Sequence, residues 1–378
     1  MAGRKLTIEE LGVDPLNDQA EASKSSSAVS NSLNPISTKV ESDSVSQDPA
    51  DHRPGRLYAI ADIHLSFPTN REALEKLGQD GQHKSDGLIL CGDIGETHDH
   101  LELGFRIATQ RFRTVWWCPG NHELYTMPVT DASADASVAR GEAKYDECVR
   151  IARQYGVLTP EDPFVMWEGE GGPVVVTPIF TLYDYSFRPD NVSLDEAVDW
   201  ARETDVEATD EHLLHFEPYT SRQDWCNVLV SKFHQRLSEA QATHPGVPMV
   251  IANHWPLRQD LVYLRHIPRF SIWCGTTLTS NWHKEFEAKV VVSGHLHIRR
   301  TDWKDGTRFE ESSLGYPRQW KDCMDMGMDI NGFLREILPG PPAPEGGNAP
   351  TLWRRCDQAS YNPAELFVKK PKTSSGIT

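Results

Sequence analysis

The stretch Leu57-Tyr58-Ala59-Ile60-Ala61-Asp62-Ile63-His64-Leu65 begins as an apolar run and ends on two metal-ligand-type side chains, Asp62 and His64. Four later apolar runs lead to further ligand types. Leu88–Cys91 precedes Asp93, Val115–Cys118 precedes Asn121, Met249–Ala252 precedes His254, and Val290–Val292 precedes His295 and His297. Short apolar runs of this kind read as buried parallel strands, and open α/β sheets place their chemistry at the carboxyl ends of the strands. Five strand-end loops would therefore carry seven ligands to one edge of a sheet, which is the sequence pattern of a two-metal centre.

The residue types agree with that reading. Carboxylate, amide oxygen and neutral imidazole together suit borderline divalent ions such as Mn, Fe or Zn. Two ions roughly 3.5–4 Å apart can clamp both oxygens of an in-line displacement at phosphorus and acidify a bound water. One carboxylate must bridge them, and Asp93 is alone on its loop. Asp62 and His64 are two apart, as are His295 and His297; along a strand that spacing points each pair one way. Any one motif has a plainer explanation: Asp62 as a turn carboxylate, Gly92–Gly95 as a strand end, His254 as a core histidine. Their ordered conjunction does not.

The set D-x-H (Asp62, His64), G-D (Gly92, Asp93), G-N-H-E (Gly120 to Glu123), a lone His254 and G-H-x-H (Gly294 to His297) resembles the calcineurin-like metallophosphoesterase superfamily, over roughly residues 56–316. The resemblance implies an α/β fold, a four-layer α/β/β/α sandwich, here with a helical insertion. It implies that Asp62, His64, Asp93 and His297 hold a first divalent metal and that Asp93, Asn121, His254 and His295 hold a second. It further implies attack by a hydroxide bridging the metals, with His122 as general acid. Protein Ser/Thr phosphatases of the superfamily carry G-D-x-x-D-R-G, where this chain reads Gly92-Asp93-Ile94-Gly95-Glu96, so protein dephosphorylation is not expected. Some members are scaffolds without turnover, but these usually have substituted ligands, and none is substituted here.

The chain has 378 residues and a formal net charge of −17, enough length for a sizeable core and a balance that repels polyanions. No apolar run reaches the roughly 18 residues of a membrane span, and the N-terminal MAGRKLTIEELG lacks the apolar core of a secretory signal. Seven cysteines without C-x-x-C spacing suggest a reduced, cytoplasmic setting. A small phosphomonoester is the expected substrate, so the protein reads as a phosphatase. A phosphodiester, cyclic nucleotide or nucleic acid, is the alternative. Nucleic acid is disfavoured by charge, no membrane is implied, and protein partners are left open. Arg258, Arg299, Tyr316 and Arg318 lie near the motifs and, with Asn121, are the expected substrate contacts. Trp116, Trp117 and Trp255 could form an aromatic wall, although core packing explains them more simply.

Residues 1–54 are rich in Ser, Asn and acidic side chains and are expected to form a disordered tail. The catalytic domain is expected at 55–338. Within it an insertion at about 186–244 opens on an acidic run, read as a solvated face, and continues as an amphipathic helix at 221–242. Residues 339–378 begin with GPPAPEGGNAP and read as a flexible linker and tail.

Overall fold

The computed structural model describes residues 53–128 and 138–354 together with the backbone of Ser360–Tyr361. The N-terminal tail expected at 1–54 lies almost wholly outside them, as does most of the segment after Arg354. The described residues from Pro54 onward belong to one compact unit.

The five apolar runs become five strands at nearly the expected places: β1 (Leu57–Ile60), β2 (Gly87–Cys91), β3 (Thr114–Cys118), β6 (Met249–Ala252) and β7 (Ala288–Ser293). Helix α1 (Pro68–Leu74) connects β1 to β2, and α2 (His98–Arg111) connects β2 to β3. Both crossovers return the chain in parallel. A short helix α3 (Asn121–Leu124) follows β3 at once, and α4 (Gly141–Gln154) lies further on. Strands β4 (Val165–Trp167) and β5 (Val174–Pro178) start a second sheet. Its strands β5, β6 and β7 run parallel, and β7 is also parallel to β9 (Thr307–Glu311), which forms a hairpin with β8 (Arg300–Lys304).

Strands β10 and β11 were not legible in the sequence. β10 (Arg335–Leu338) adds antiparallel to β1, giving a first sheet ordered β10-β1-β2-β3. β11 (Ala349–Arg354) lies in the segment that reads as a linker, yet it pairs with β8. With β12 (Ser360–Tyr361), the second sheet is ordered β12-β11-β8-β9-β7-β6-β5-β4.

Alternation along the strands divides the core into layers. Leu57, Ala59, Ile89, Cys91, Trp116 and Cys118 of the first sheet share one buried cluster with Val174, Val176, Val250, Ala252, Val290 and Val292 of the second. The intervening residues Ile60, Leu88, Leu90, Val115 and Trp117 fall in another cluster with Leu74, Phe105, Ile107, Val149 and Ala152 of the helices. Two sheets therefore pack face to face. On the second sheet's outer side Val175, Ile251 and Val291 share a cluster with Trp225, Phe233 and Leu237 of α7 (Arg222–Thr243), the long helix expected in the insertion, which follows the short helices α5 (Ala197–Arg202) and α6 (Asp210–Leu213). This is the four-layer α/β/β/α sandwich.

Trp116, Trp117 and Trp255 are buried core residues, which favours packing over a wall. Cys91, Cys118, Cys148, Cys226 and Cys274 are buried free thiols, whereas Cys323 is disulfide-bonded, a departure from a fully reduced set. Among the described residues no helix is long and apolar enough to cross a membrane.

Candidate metal centre

At the carboxyl ends of the parallel strands the two sheets meet. Ala61 forms a parallel bridge with Ser313, and the N–H groups of Leu314 and Gly315 donate to the carbonyls of Ala61 and Asp62. The loops here leave their strands sharply. Asp62 (φ 54°), His64 (φ 47°), Asp93 (φ 55°), His295 (φ 71°) and His297 (φ 54°) all take left-handed backbone. Non-glycine residues visit that region at a cost of about 1–3 kcal/mol, and such residues gather at functional sites. The shared direction of Asp62 and His64 therefore does not come from strand alternation. β1 has ended at Ile60, and the turn itself aims both side chains inward.

Glycines allow the loops to approach. A Cβ on Gly120 would collide with the Asp93 carboxylate, and one on Gly294 would collide with Asp62 Oδ2 and Ala61. Glu123 then ties two loops together. It is buried, and its carboxylate accepts the N–H groups of Asp93 (2.9 Å), Ile94 (2.8 Å) and Gly120 (2.8 Å).

Two groups of side chains within this cluster could each hold a cation: Asp62, His64, Asp93 and His297 on one side, and Asp93, His254 and His295 on the other. Asn121 joins the second, its Oδ1 3.1 Å from His295 Nδ1. These are the seven residues expected from sequence, and Asp93 is common to both groups.

Hydrogen bonding shows which ring nitrogens face the shared space. His254 Nδ1 lies 2.8 Å from the Cys91 carbonyl, which can only accept, so Nδ1 carries the proton. Its buried Nε2 has no hydrogen-bond partner and lies 3.4 Å from Asp93 Oδ2. Similarly, Gln319 Oε1 accepts the Tyr316 N–H (2.7 Å) and therefore also accepts from His297 Nδ1 (2.8 Å). That leaves His297 Nε2 2.9 Å from Asp62 Oδ1 and 3.1 Å from His64 Nε2. In neutral rings these are lone pairs aimed at carboxylates and at each other, an arrangement relieved by protonation or by a cation between them.

Without a cation the protons are divided. Burial and the neighbouring His122 lower His64 to about 3, and burial and His254 lower His295 to about 3. Burial would also lower His254, but Asp93 and Asp62 raise it to about 10. Burial would raise Asp93, yet His254 and His122 hold it well below the usual carboxylate range. A divalent cation would find Asp93 ionised and His64 and His295 neutral, and would take the place of the protons that Asp93 and Asp62 draw onto His254 and His297. The donor set fits two such ions.

His122 stands beside this cluster. Its Nδ1–H donates to buried Glu96 (2.8 Å), and its Nε2 lies 3.8 Å from Asp93 Oδ2. Burial would lower its pKa, but Asp93 and then Glu96 raise it to about 9. Tyr316 places its ring 4.5 Å from that of His64 and 4.8 Å from that of His297. Arg318 is exposed, its guanidinium 5.9 Å from the Tyr316 ring centre. The other two expected cations are engaged elsewhere. Arg258 makes two bonds to Asp260, and Arg299 donates to the carbonyls of Leu314 and Gln319.

Sequence reasoning missed Glu96 and Gln319. Glu96 had a local signal: it follows Asp93 by three positions, where the protein phosphatase motif has its second Asp. Gln319 had none.

A family model described as calcineurin-like phosphoesterase matches residues 55–299. The chain belongs to that family. As a calcineurin-like phosphoesterase it is a hydrolase acting on phosphate esters, in a family that uses divalent metals. It is 41% identical over 286 residues to the [acyl-carrier-protein] phosphodiesterase PptH of Mycobacterium tuberculosis, covering 75% of this chain and 84% of that one. The crystal structure of the phosphopantetheinyl hydrolase PptH from the same organism superposes with a TM-score of 0.67 at 40% identity, covering 76% of this phosphoesterase and 97% of that chain.

If Asp93 serves both cations, Asp93→Asn removes the one carboxylate common to the two groups. Elemental analysis of the purified variant should then find less than one ion per chain, against two in the parent. Full occupancy in the variant would refute a shared role.

Proposed function

We infer that the protein cleaves a phosphodiester, and that its substrate class is a phosphopantetheine group attached to a carrier protein. The pair of ligand groups sharing Asp93, with His122 beside them, carries the hydrolytic part of this reading. The 41% identity to an acyl-carrier-protein phosphodiesterase over 286 residues supports the diester and the carrier. The lean towards a small phosphomonoester gives way to the diester alternative. The charge argument behind that lean bears on polyanions such as nucleic acid, whereas one isolated diester carries a single negative charge.

Two divalent ions, one held by Asp62, His64, Asp93 and His297 and the other by Asp93, Asn121, His254 and His295, would neutralise phosphoryl charge and acidify a water. The remaining chemistry falls to His122. Its Nδ1–H is committed to Glu96, so the ring is fixed and Nε2 carries the mobile proton. Without a cation, Asp93 and then Glu96 raise the pKa of His122 to about 9 against burial; with cations on Asp93, the bond to Glu96 is what favours the protonated ring. The ring gives that proton to the leaving alcohol oxygen as the P–O bond breaks, while the water oxygen stays on phosphorus. Tyr316 offers a ring face beside His64 and His297 for the apolar part of the substrate.

With manganese supplied, the protein should hydrolyse bis(p-nitrophenyl) phosphate faster than p-nitrophenyl phosphate. It should also release phosphopantetheine from a modified acyl carrier protein, followed by intact-mass spectrometry. Monoester preference with no change in the carrier protein would contradict the assignment. His122→Ala should keep its metal yet lose about 10²–10⁴-fold in kcat on the diester; an unchanged rate would remove its role as general acid.

A further inference from the structure

The acidic run of the insertion is not uniformly solvated. Asp210, the first residue of the short helix α6 (Asp210–Leu213), is 1% exposed. Its partners are the first residue of α3 and the residue that follows that helix, Asn121 and Tyr125, the former 89 positions earlier. Tyr125 Oη–H donates to Asp210 Oδ1 (2.7 Å), and Asn121 Nδ2 donates both to Asp210 Oδ1 (3.0 Å) and to Tyr125 Oη (2.9 Å).

This arrangement decides which end of the Asn121 amide faces the metal centre. An amide can sit either way round, and only its oxygen can bind a cation. A carboxylate oxygen only accepts, so the amide nitrogen must face Asp210, and Oδ1 is left 3.1 Å from His295 Nδ1. Turning the amide over would set its oxygen against the Asp210 carboxylate and expose a donor to the cation position. Both errors are costly in a buried site.

Asp210 is itself held from the insertion side. Arg222 on α7 is buried and donates to the Asp210 carbonyl (2.6 Å), to the Leu214 carbonyl (2.9 and 3.1 Å) and to Glu211 Oε2 (3.0 Å). Glu211 Oε1 in turn accepts Trp273 Nε1–H and Tyr185 Oη–H, each at 2.7 Å. The Thr126 N–H donates to the Leu213 carbonyl (2.9 Å), and Tyr125 bridges to Leu214. The short helix is thus bonded both to the long helix of the insertion and to the loop it serves.

We propose that Asp210 is a positioning residue for the second cation, and that the insertion fixes Asn121 Oδ1 as a ligand there. The proposal rests on the two-metal reading above. Partners behind metal ligands typically contribute 10–100-fold in affinity. Asp210→Ala should therefore weaken one of two Mn(II) ions by about 10–100-fold and leave the other unchanged. Asp210→Asn keeps an accepting oxygen and should restore most of the loss.

The test is Mn(II) titration of the metal-free full-length chain by calorimetry, with circular dichroism to confirm folding. Should Asp210→Ala fail to fold, Tyr125→Phe decides the matter. It removes one of the two acceptors of the amide, and a several-fold loss confined to one ion is expected. Two ions bound at parent affinity in the folded variant would overturn the positioning role and leave the two-metal reading standing. Equal weakening of both ions would show a general structural role and overturn it too. A parent that binds fewer than two ions would overturn both.

Discussion

Buried Glu123 binds the loops after β2 and β3 to one another, accepting N–H groups from Asp93, Ile94 and Gly120. A carboxylate in that position is costly unless its lone pairs are satisfied by donors. The two loops reach those donors only by closing over Glu123, and that closure fixes where Asp93 stands. The His122 N–H, one residue before Glu123, then donates to Asp93 Oδ1 (2.9 Å) and leaves Oδ2 facing His254 and His64. Much of the site's geometry follows from this contact. The residue that links both ligand groups is held by backbone, not by side-chain packing alone.

The same economy appears across the sheets. Asp62 Oδ1 faces His297, while Oδ2 accepts the Ser313 hydroxyl (2.6 Å), and both oxygens lie 3.1 Å from the His295 N–H. One carboxylate from the first sheet therefore orders the loop that ends β7 in the second. Left-handed backbone at five candidate ligands is held by contacts of this kind. The cost of each such residue is met by the rigid sandwich around it. A site assembled this way is preorganised, because the groups that would face a cation are oriented by hydrogen bonds to Cys91, Gln319, Glu96 and Asp210.

The candidate ligands were legible because ligation restricts residue type, and because each of the apolar runs that lead to them is visible. The positions of β1, β2, β3, β6 and β7 follow for the same reason. What was hidden depended on distance along the chain. β10 is four residues long with Arg335 and Glu336 at its start; it is a strand because β1 offers it an edge, not because of its own pattern. β11 follows a Pro/Gly stretch that reads as linker, and it is a strand through its pairing with β8. Asp210 sits in a run of acids that composition marks as solvated. Its burial follows from Asn121, Tyr125 and Arg222 meeting around it, which no local window contains. Arg258 and Arg299, two of the three arginines expected near substrate, are held by Asp260 and by backbone carbonyls, partners that proximity in sequence does not reveal.

The central claim is that Asp93 joins two cations into one centre. Electron paramagnetic resonance of the Mn(II)-loaded protein tests it most directly, because a shared carboxylate couples the two spins. The account predicts a spin-coupled dinuclear spectrum in the parent. A spectrum of isolated Mn(II) alone, at saturating metal, would contradict it.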